Sequence, residues 1–277
     1  SFGSRSMKLF SAIVIFVFLM PYSASVYKGL TSVCSVLLGI DELVCMIVIA
    51  AVSALLVVAG GYLTALRADF IQGAVMLVGV FALIVAVFNS ESVGGLSEGF
   101  KNIVAETEKL NLDASAHIGL WATVLMTSFG TWGLPQMIHK YYGIRDDKEV
   151  KRGTVISTMF ALVVAGGGYF IGSLSRLFFE ELPEGGTDYL IPNMLLKADI
   201  SDILVGVILV LLIAASVSTL SSITITAAST FTMDIVQDRI IKDKTKDISS
   251  LTKGVCFLFV LISFFIAWLG EGTPILD

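Results

Sequence analysis

Residues 203–230 read ILVGVILVLLIAASVSTLSSITITAAST, and no charged side chain occurs between Asp202 and Asp234. A helix needs ~20 predominantly apolar residues to cross the hydrocarbon core of a bilayer, and this run exceeds that length without a proline. Its polarity is ordered. Ala215, Ser218, Thr219 and Ser222 recur at i, i+3, i+4 and i+7, which puts them on one helical face. Ser221 lies three residues beyond Ser218 and borders that face. Such a stripe has two readings. Either it lets a neighbouring helix approach closely, its hydroxyls bonding back to their own carbonyls, or it offers hard oxygen donors to a monovalent cation near the bilayer midplane.

Six further apolar runs surround this one, at about 9–28, 43–62, 70–89, 117–138, 153–176 and 254–270. Together they predict an all-α integral membrane protein with seven transmembrane helices in a single transmembrane domain, 1–277. A closed barrel also satisfies its backbone in lipid, but it reads as short alternating segments. Composition agrees with the helical reading. The chain is 56% hydrophobic and 15% charged, against ~45–50% and ~25% in soluble domains, and its mean hydropathy is +0.88. Membrane lipid is therefore the solvent for much of the surface. The chain opens on Ser1 without an initiator Met and stops at Asp277, just after an apolar run, so it reads as a fragment.

Most Lys and Arg residues fall in alternate connections: Arg5 and Lys8, Arg67, the group from Lys140 to Arg152, and the group from Arg239 to Lys253. The other connections carry most of the acids. The positive-inside rule then predicts a cytoplasmic N-terminus and an extracytoplasmic C-terminus, in the cell membrane. Two outer connections are long. Residues 97–110 have the amphipathic pattern of a short surface helix, and the stretch from 177 to 202 reads as a turn at Pro183-Glu184-Gly185-Gly186, either a tether or a lid. The Lys/Asp mixture at 238–247 reads as a solvated extension, with no nucleic-acid partner. Cys34, Cys45 and Cys256 form no metal or pairing motif.

Two other places put polarity at the membrane. Asp69 stands at the entrance of the third run, either a functional carboxylate or a helix-start acid eased by the macrodipole and Arg67. The fourth run ends Thr127-Ser128-Phe129-Gly130-Thr131-Trp132-Gly133-Leu134-Pro135-Gln136. Pro135 removes a helix hydrogen bond there, so the segment is either a plain kink or an interrupted helix that exposes backbone groups to a ligand. Gly166-Gly167-Gly168 lacks the strand context of a phosphate loop and reads as packing or hinge positions.

These segments together resemble the sodium:solute symporter family. The resemblance rests on Gly60-Gly61-Tyr62 through Asp69-Phe70-Ile71-Gln72-Gly73, on Trp132-Gly133-Leu134-Pro135-Gln136, and on Ala214-Ala215 through Phe231-Thr232-Met233-Asp234-Ile235. It implies the LeuT fold, two inverted five-helix repeats, with the seven spans as core helices three to nine. It also implies a family-wide sodium site using the Ala215 carbonyl and the Ser218 and Thr219 hydroxyls. Asp69, Ser218, Ser221 and Ser222 are similar to the second sodium site of the sialic acid transporter type. Ser128, Thr131, Trp132 and Gln136 correspond to a substrate or gate region, but Ser128 and Thr131 replace the Asn and Tyr of the galactose-transporting branch. That departure argues against a hexose bound in the same way.

The expected function is Na+-coupled symport of a small organic solute by alternating access, with Na+ as coupling ion and no enzymatic chemistry. Two alternatives share the fold: a membrane sensor module attached to a signalling domain, and a proton-coupled transporter in which Asp69 titrates.

Overall fold

A computed structural model describes residues 4–109, 113–141, 144–179, 181–198, 200–241 and 247–270. The helices are α1 (Arg5–Leu38), α2 (Glu42–Asn89), α3 (Leu96–Lys109), α4 (Ala114–Gly130), α5 (Pro135–Tyr141), α6 (Asp147–Leu174), α7 (Leu190–Lys197), α8 (Asp202–Thr230) and α9 (Ser249–Leu269). Among the described residues no strand occurs. Six stretches are long and apolar enough to cross a membrane: Ser6–Leu38, Glu42–Ala59, Arg67–Asn89, Asp147–Leu177, Asp202–Asp238 and Ser249–Leu269. The surface confirms which solvent they suit. Phe18, Leu55, Phe81, Leu162 and Ile203 are exposed, whereas Ser23, Ser53, Ser221, Thr224 and Ser263 are buried. Large apolar side chains outside and hydroxyls inside invert the soluble pattern.

The fourth predicted span is the one that does not form a single long helix. α4 holds 17 residues and ends at Gly130, a 3-10 turn covers Thr131–Gly133, and α5 restarts at Pro135. Leu134, directly before the proline, is extended with φ −67 and ψ 119, as the proline ring demands of its predecessor. The segment is thus an interrupted helix, not a kinked one. Asp113 caps its start by accepting from the Ala116 N–H at 2.9 Å. That bond, with the Ser115 hydroxyl, holds the Asp113 carboxyl below the usual carboxylate range.

The second and third apolar spans lie within one unbroken helix of 48 residues. Its length, ~1.5 Å per residue, far exceeds a bilayer core of ~30 Å. Helix formers (Leu63, Ala65, Leu66, Ala68) and no proline occupy the joint, so nothing local ends the hydrogen-bond ladder. By contrast α1 tolerates Pro21 inside the helix, and ends where Gly39 turns left-handed at φ 65.

The described residues fall into two compact units, one from Ser1–Met76, Pro183–Asn193 and Gly206–Asp277, the other from Leu77–Leu182 and Met194–Val205. In the first, α1, the start of α2, α8 and α9 share a core. Leu19, Ile223, Ala227 and Phe259 form one apolar cluster, and Val57, Ala228, Val255 and Cys256 form another. Phe16 packs on Phe231 and Phe259 at 4.7 and 5.6 Å. Beyond Thr230, α8 widens into a π-helical stretch, Phe231–Ile241. Thr232 there donates to the Ala228 carbonyl at 2.7 Å and meets Thr252 of α9 at 3.0 Å. Lys8 of α1 pairs with Asp234 at 2.9 Å and also with Asp238.

In the second unit, α3 takes the amphipathic form its pattern predicts. Phe100 of α3, Phe88 of α2 and Phe170 of α6 form a triangle of rings 5.2 to 6.4 Å apart. The connection read as a turn, whose residues Pro183–Asn193 belong to the first unit, also contains helix: α7, and a 3-10 turn at Thr187–Tyr189. Gly185, at φ 95, leaves no room for a side chain, because a Cβ would stand 2.5 Å from the Tyr189 ring.

Gly167 of α6 packs closely on α2, since an added Cβ would lie 2.8 Å from Val80 and 3.0 Å from Ile84. Gly167→Val overpacks that contact and should destabilise the protein by ~1–3 kcal/mol. The neighbouring Gly166 and Gly168 meet nothing within 4 Å, so Gly168→Ala should leave the thermal unfolding midpoint unchanged, which a paired melt in detergent checks.

Candidate functional site

α8 presents two faces. Ile223 and Ala227 are fully buried in a cluster with Leu19 of α1 and Phe259 of α9. The other face carries Ala215, Ser218, Thr219 and Ser222, each half-buried. On that face the Ser218 Oγ donates to Asp69 Oδ1 at 2.5 Å. This contact joins α8 to α2 across 149 positions of chain and places the carboxylate beside the hydroxyl stripe. A charge-assisted bond of this kind is roughly twice as strong as a neutral one.

One turn along, Thr219 Oγ1 donates to the Ala215 carbonyl at 3.0 Å. This is the back-bond to the carbonyl one turn earlier that the packing reading of the stripe expects. Ser221 is completely buried, and its Oγ has no hydrogen-bond partner among the described residues. A buried hydroxyl oxygen without a partner is free to accept one. Ser222 follows on the same face, half-buried.

Gln72 belongs in the same description, although its residue type alone did not draw attention. It stands three residues after Asp69, on the same face of α2, and its Oε1 is buried without a partner among the described residues. The i+3 spacing from an intramembrane acid was the signal that could have found it.

The donor set is a carboxylate, several hydroxyls, a backbone carbonyl and an amide oxygen. All are hard oxygen donors, and one negative charge among them matches a monovalent ion better than Ca2+, which takes more carboxylates. Among the described residues, no group of three or more His, Cys, Asp or Glu side chains is placed to hold a metal ion.

The residues of the interrupted helix lie in the second unit. Thr131 Oγ1 donates to the Ser128 carbonyl at 3.0 Å, which turns the hydroxyl back on its own chain. Trp132 is 75% exposed and packs edge-on to Phe129 at 5.0 Å. Gln136 is the opposite: it is buried, and its Oε1 has no partner among the described residues.

With this geometry in place, comparison with known proteins gives a family. The profile of the sodium:solute symporter family matches residues 1–273. The chain belongs to the sodium:solute symporter family. It is 24% identical to the osmoregulated proline transporter OpuE of Bacillus subtilis, over 84% of this chain and 47% of that protein. It is 25% identical to the sodium/pantothenate symporter of Haemophilus influenzae, over 64% of this chain and 36% of the relative. Mouse sodium/glucose cotransporter 1 is 25% identical, over 96% of this chain and 46% of its own length. The chain thus spans about half the length of the curated relatives it matches. Among solved structures, a Na+-coupled sialic acid symporter in a substrate-bound outward-open state shares the fold. Its TM-score is 0.73 at 18% identity, over 94% of this chain and 57% of that one.

The two kinds of serine on α8 should respond differently to truncation. In sodium-free choline chloride, Ser218→Ala strips the hydroxyl from Asp69 and should lower the unfolding midpoint. Ser221→Ala removes an unbonded buried hydroxyl, a group whose isolation costs ~1–3 kcal/mol, and should unfold no earlier than wild type. Thermal melts of the two variants side by side check this.

Proposed function

We propose that the intact symporter couples inward Na+ flow to uptake of a small organic solute by alternating access, using two Na+ sites on one face of α8. The observation that carries this reading is the Ser218–Asp69 hydrogen bond, one turn from the Ala215 carbonyl and Thr219 hydroxyl. The first site comprises Ala215, Ser218 and Thr219. The second comprises Asp69, Ser218, Ser221 and Ser222, with the Gln72 amide oxygen beside it. Ser218 belongs to both, so filling one site reorganises a ligand of the other. Coupling of that kind is a differential affinity of the ions for two conformations of the protein.

The relatives are named as transporters of proline, pantothenate and glucose, which supports a small organic solute as cargo. Ser128, Thr131, Trp132 and Gln136 are the proposed solute or gate region. The buried, unbonded Gln136 Oε1 supports a polar contact there, and the Trp132 ring an apolar one. Transport of this sort forms and breaks no covalent bond, so the reading assigns no enzymatic activity. The distribution of Lys and Arg supports a cytoplasmic N-terminus, an extracytoplasmic C-terminus and a cell-membrane location. In this reading residues 1–277 belong to one transmembrane domain.

Binding of radiolabelled Na+ to the full-length protein in detergent tests the proposal. Wild type should bind saturably. Ser218→Ala/Thr219→Ala should abolish saturable binding, and Asp69→Ala should lower the stoichiometry. The same variants should lose the Na+-dependent rise in stability, which for one site amounts to ~2.7 kcal/mol at 100 times the dissociation constant. Absence of saturable Na+ binding in wild type would make the hydroxyl stripe a packing surface. Uptake that then followed a pH gradient would make the protein proton-driven.

A further inference from the structure

α3 and the end of α6 meet at one corner of the second unit. Phe100 of α3 packs on Phe170 of α6 with ring centroids 5.2 Å apart, and α6 then closes through a 3-10 turn, Ser175–Leu177. Between that turn and α3 lies a cavity of about 770 Å³, a volume typical of sites for small ligands. Asn102, Glu106 and Lys109 line it from α3, and Arg176, Leu177 and Phe179 line it from the other side. None of these residues belongs to the proposed Na+ sites or to the proposed solute region.

Two features set the depth of this cavity in the bilayer. The apolar span that contains α6 runs to Leu177. Apolar residues flank Arg176 on both sides, Ile171 and Leu174 before it and Leu177, Phe178 and Phe179 after it, and charge returns only at Glu180 and Glu181. A cation so placed stands where the hydrocarbon ends, at the level of the lipid phosphates. α3 is the amphipathic helix of the unit, with Phe100 and Val104 exposed, and a helix of that pattern lies in the interface plane. Both walls of the cavity therefore mark the headgroup layer.

The cavity is lined by charges of both signs. Arg176 is exposed and has no ion-pair partner among the described residues, and its planar fork matches a phosphate. Glu106 accepts from Lys109 Nζ at 2.5 Å through Oε1, which leaves Oε2 for a second cationic donor. Lys197 of α7 donates to the Phe178 carbonyl at 3.2 Å and stands 4.1 Å over the Phe179 ring, so the apolar wall is held in place. A plain anion would answer Arg176 but meet Glu106 unfavourably. A plain cation would meet Arg176 and Lys109. A ligand that carries a phosphate and a primary ammonium suits both signs, and an attached glycerol and acyl chain suit Leu177 and Phe179. We propose that this cavity binds the headgroup of a phosphatidylethanolamine, with its phosphate on Arg176 and its ammonium on Glu106.

Native mass spectrometry of the full-length protein tests this, with phosphatidylethanolamine, phosphatidylcholine and phosphatidylglycerol of identical acyl chains added in turn. Phosphatidylcholine has no N–H to give Glu106, and phosphatidylglycerol has no cation. For the first lipid bound, wild type should therefore prefer phosphatidylethanolamine by about fivefold, the scale of one partly exposed charged hydrogen bond. Arg176→Gln should weaken binding of all three, and Glu106→Gln should erase only the preference for ethanolamine. Arg176→Lys keeps the charge without the fork and should retain part of the affinity, which separates loss of the contact from misfolding. Equal binding of the three lipids by wild type, or binding unchanged in Arg176→Gln, would mean a non-specific lipid contact and would overturn the proposal. Displacement of the lipid by excess soluble phosphoethanolamine would assign the cavity to a soluble zwitterion, and would overturn it equally.

Discussion

A carboxylate held between apolar helices needs partners, and Asp69 obtains one from Ser218 across the largest sequence separation of any hydrogen bond on the α8 hydroxyl face. Removing a charge from water is expensive, and an interior of low dielectric returns that expense only if hydrogen bonds or an opposite charge meet the carboxylate. The Ser218 hydroxyl at 2.5 Å is one such partner. Gln72, three residues on along α2, and Ser221, three residues on along α8, each carry a buried oxygen without a hydrogen-bond partner among the described residues.

The helix that carries the site has to satisfy two neighbours at once. Ile223 and Ala227 hold one face of α8 against α1 and α9, while Ser218 on another face reaches Asp69. Successive residues alternate between these duties, so α8 cannot rotate to improve one contact without spoiling the other. Its C-terminal end adds a further restraint: Lys8 of α1 holds Asp234 and Asp238 on the π-helical extension. Thr232 contributes to the widened winding there by bonding to two carbonyls, those of Ala228 and Ser229. Position on α8 is thus set at several heights by contacts of different kinds.

Much of this was legible in the residues. Apolar length located the spans, because lipid imposes a minimum run that soluble helices do not need. Pro135, with Leu134 forced extended before it, made the interruption of the fourth span readable, though not its form as a 3-10 turn. The surface helix α3 followed from its amphipathic pattern. α7 did not, since Leu190–Lys197 is only two turns long and follows a Pro-Gly-Gly turn that dominates the local signal. The continuity of α2 through its joint was hidden for a related reason: charge at Arg67 and Asp69 marks an end of the lipid-buried stretch, not an end of the helix. The meeting of Ser218 with Asp69 came from family resemblance, because periodicity assigns a residue to a face but never names the helix opposite.

Hydroxyl bonding was the least readable property of all. Ser32 and Ser23 sit on the same helix in similar apolar surroundings, yet one returns its proton to Lys28 and the other does not. Sequence spacing treats them alike, and so does burial. The difference is one of side-chain rotamer, which neither spacing nor burial encodes. A serine in a membrane helix is therefore neither packing filler nor ligand by type. The partner across the helix interface decides, and in this chain the same residue type serves as a local bond on α1 and as the donor to a carboxylate on α8.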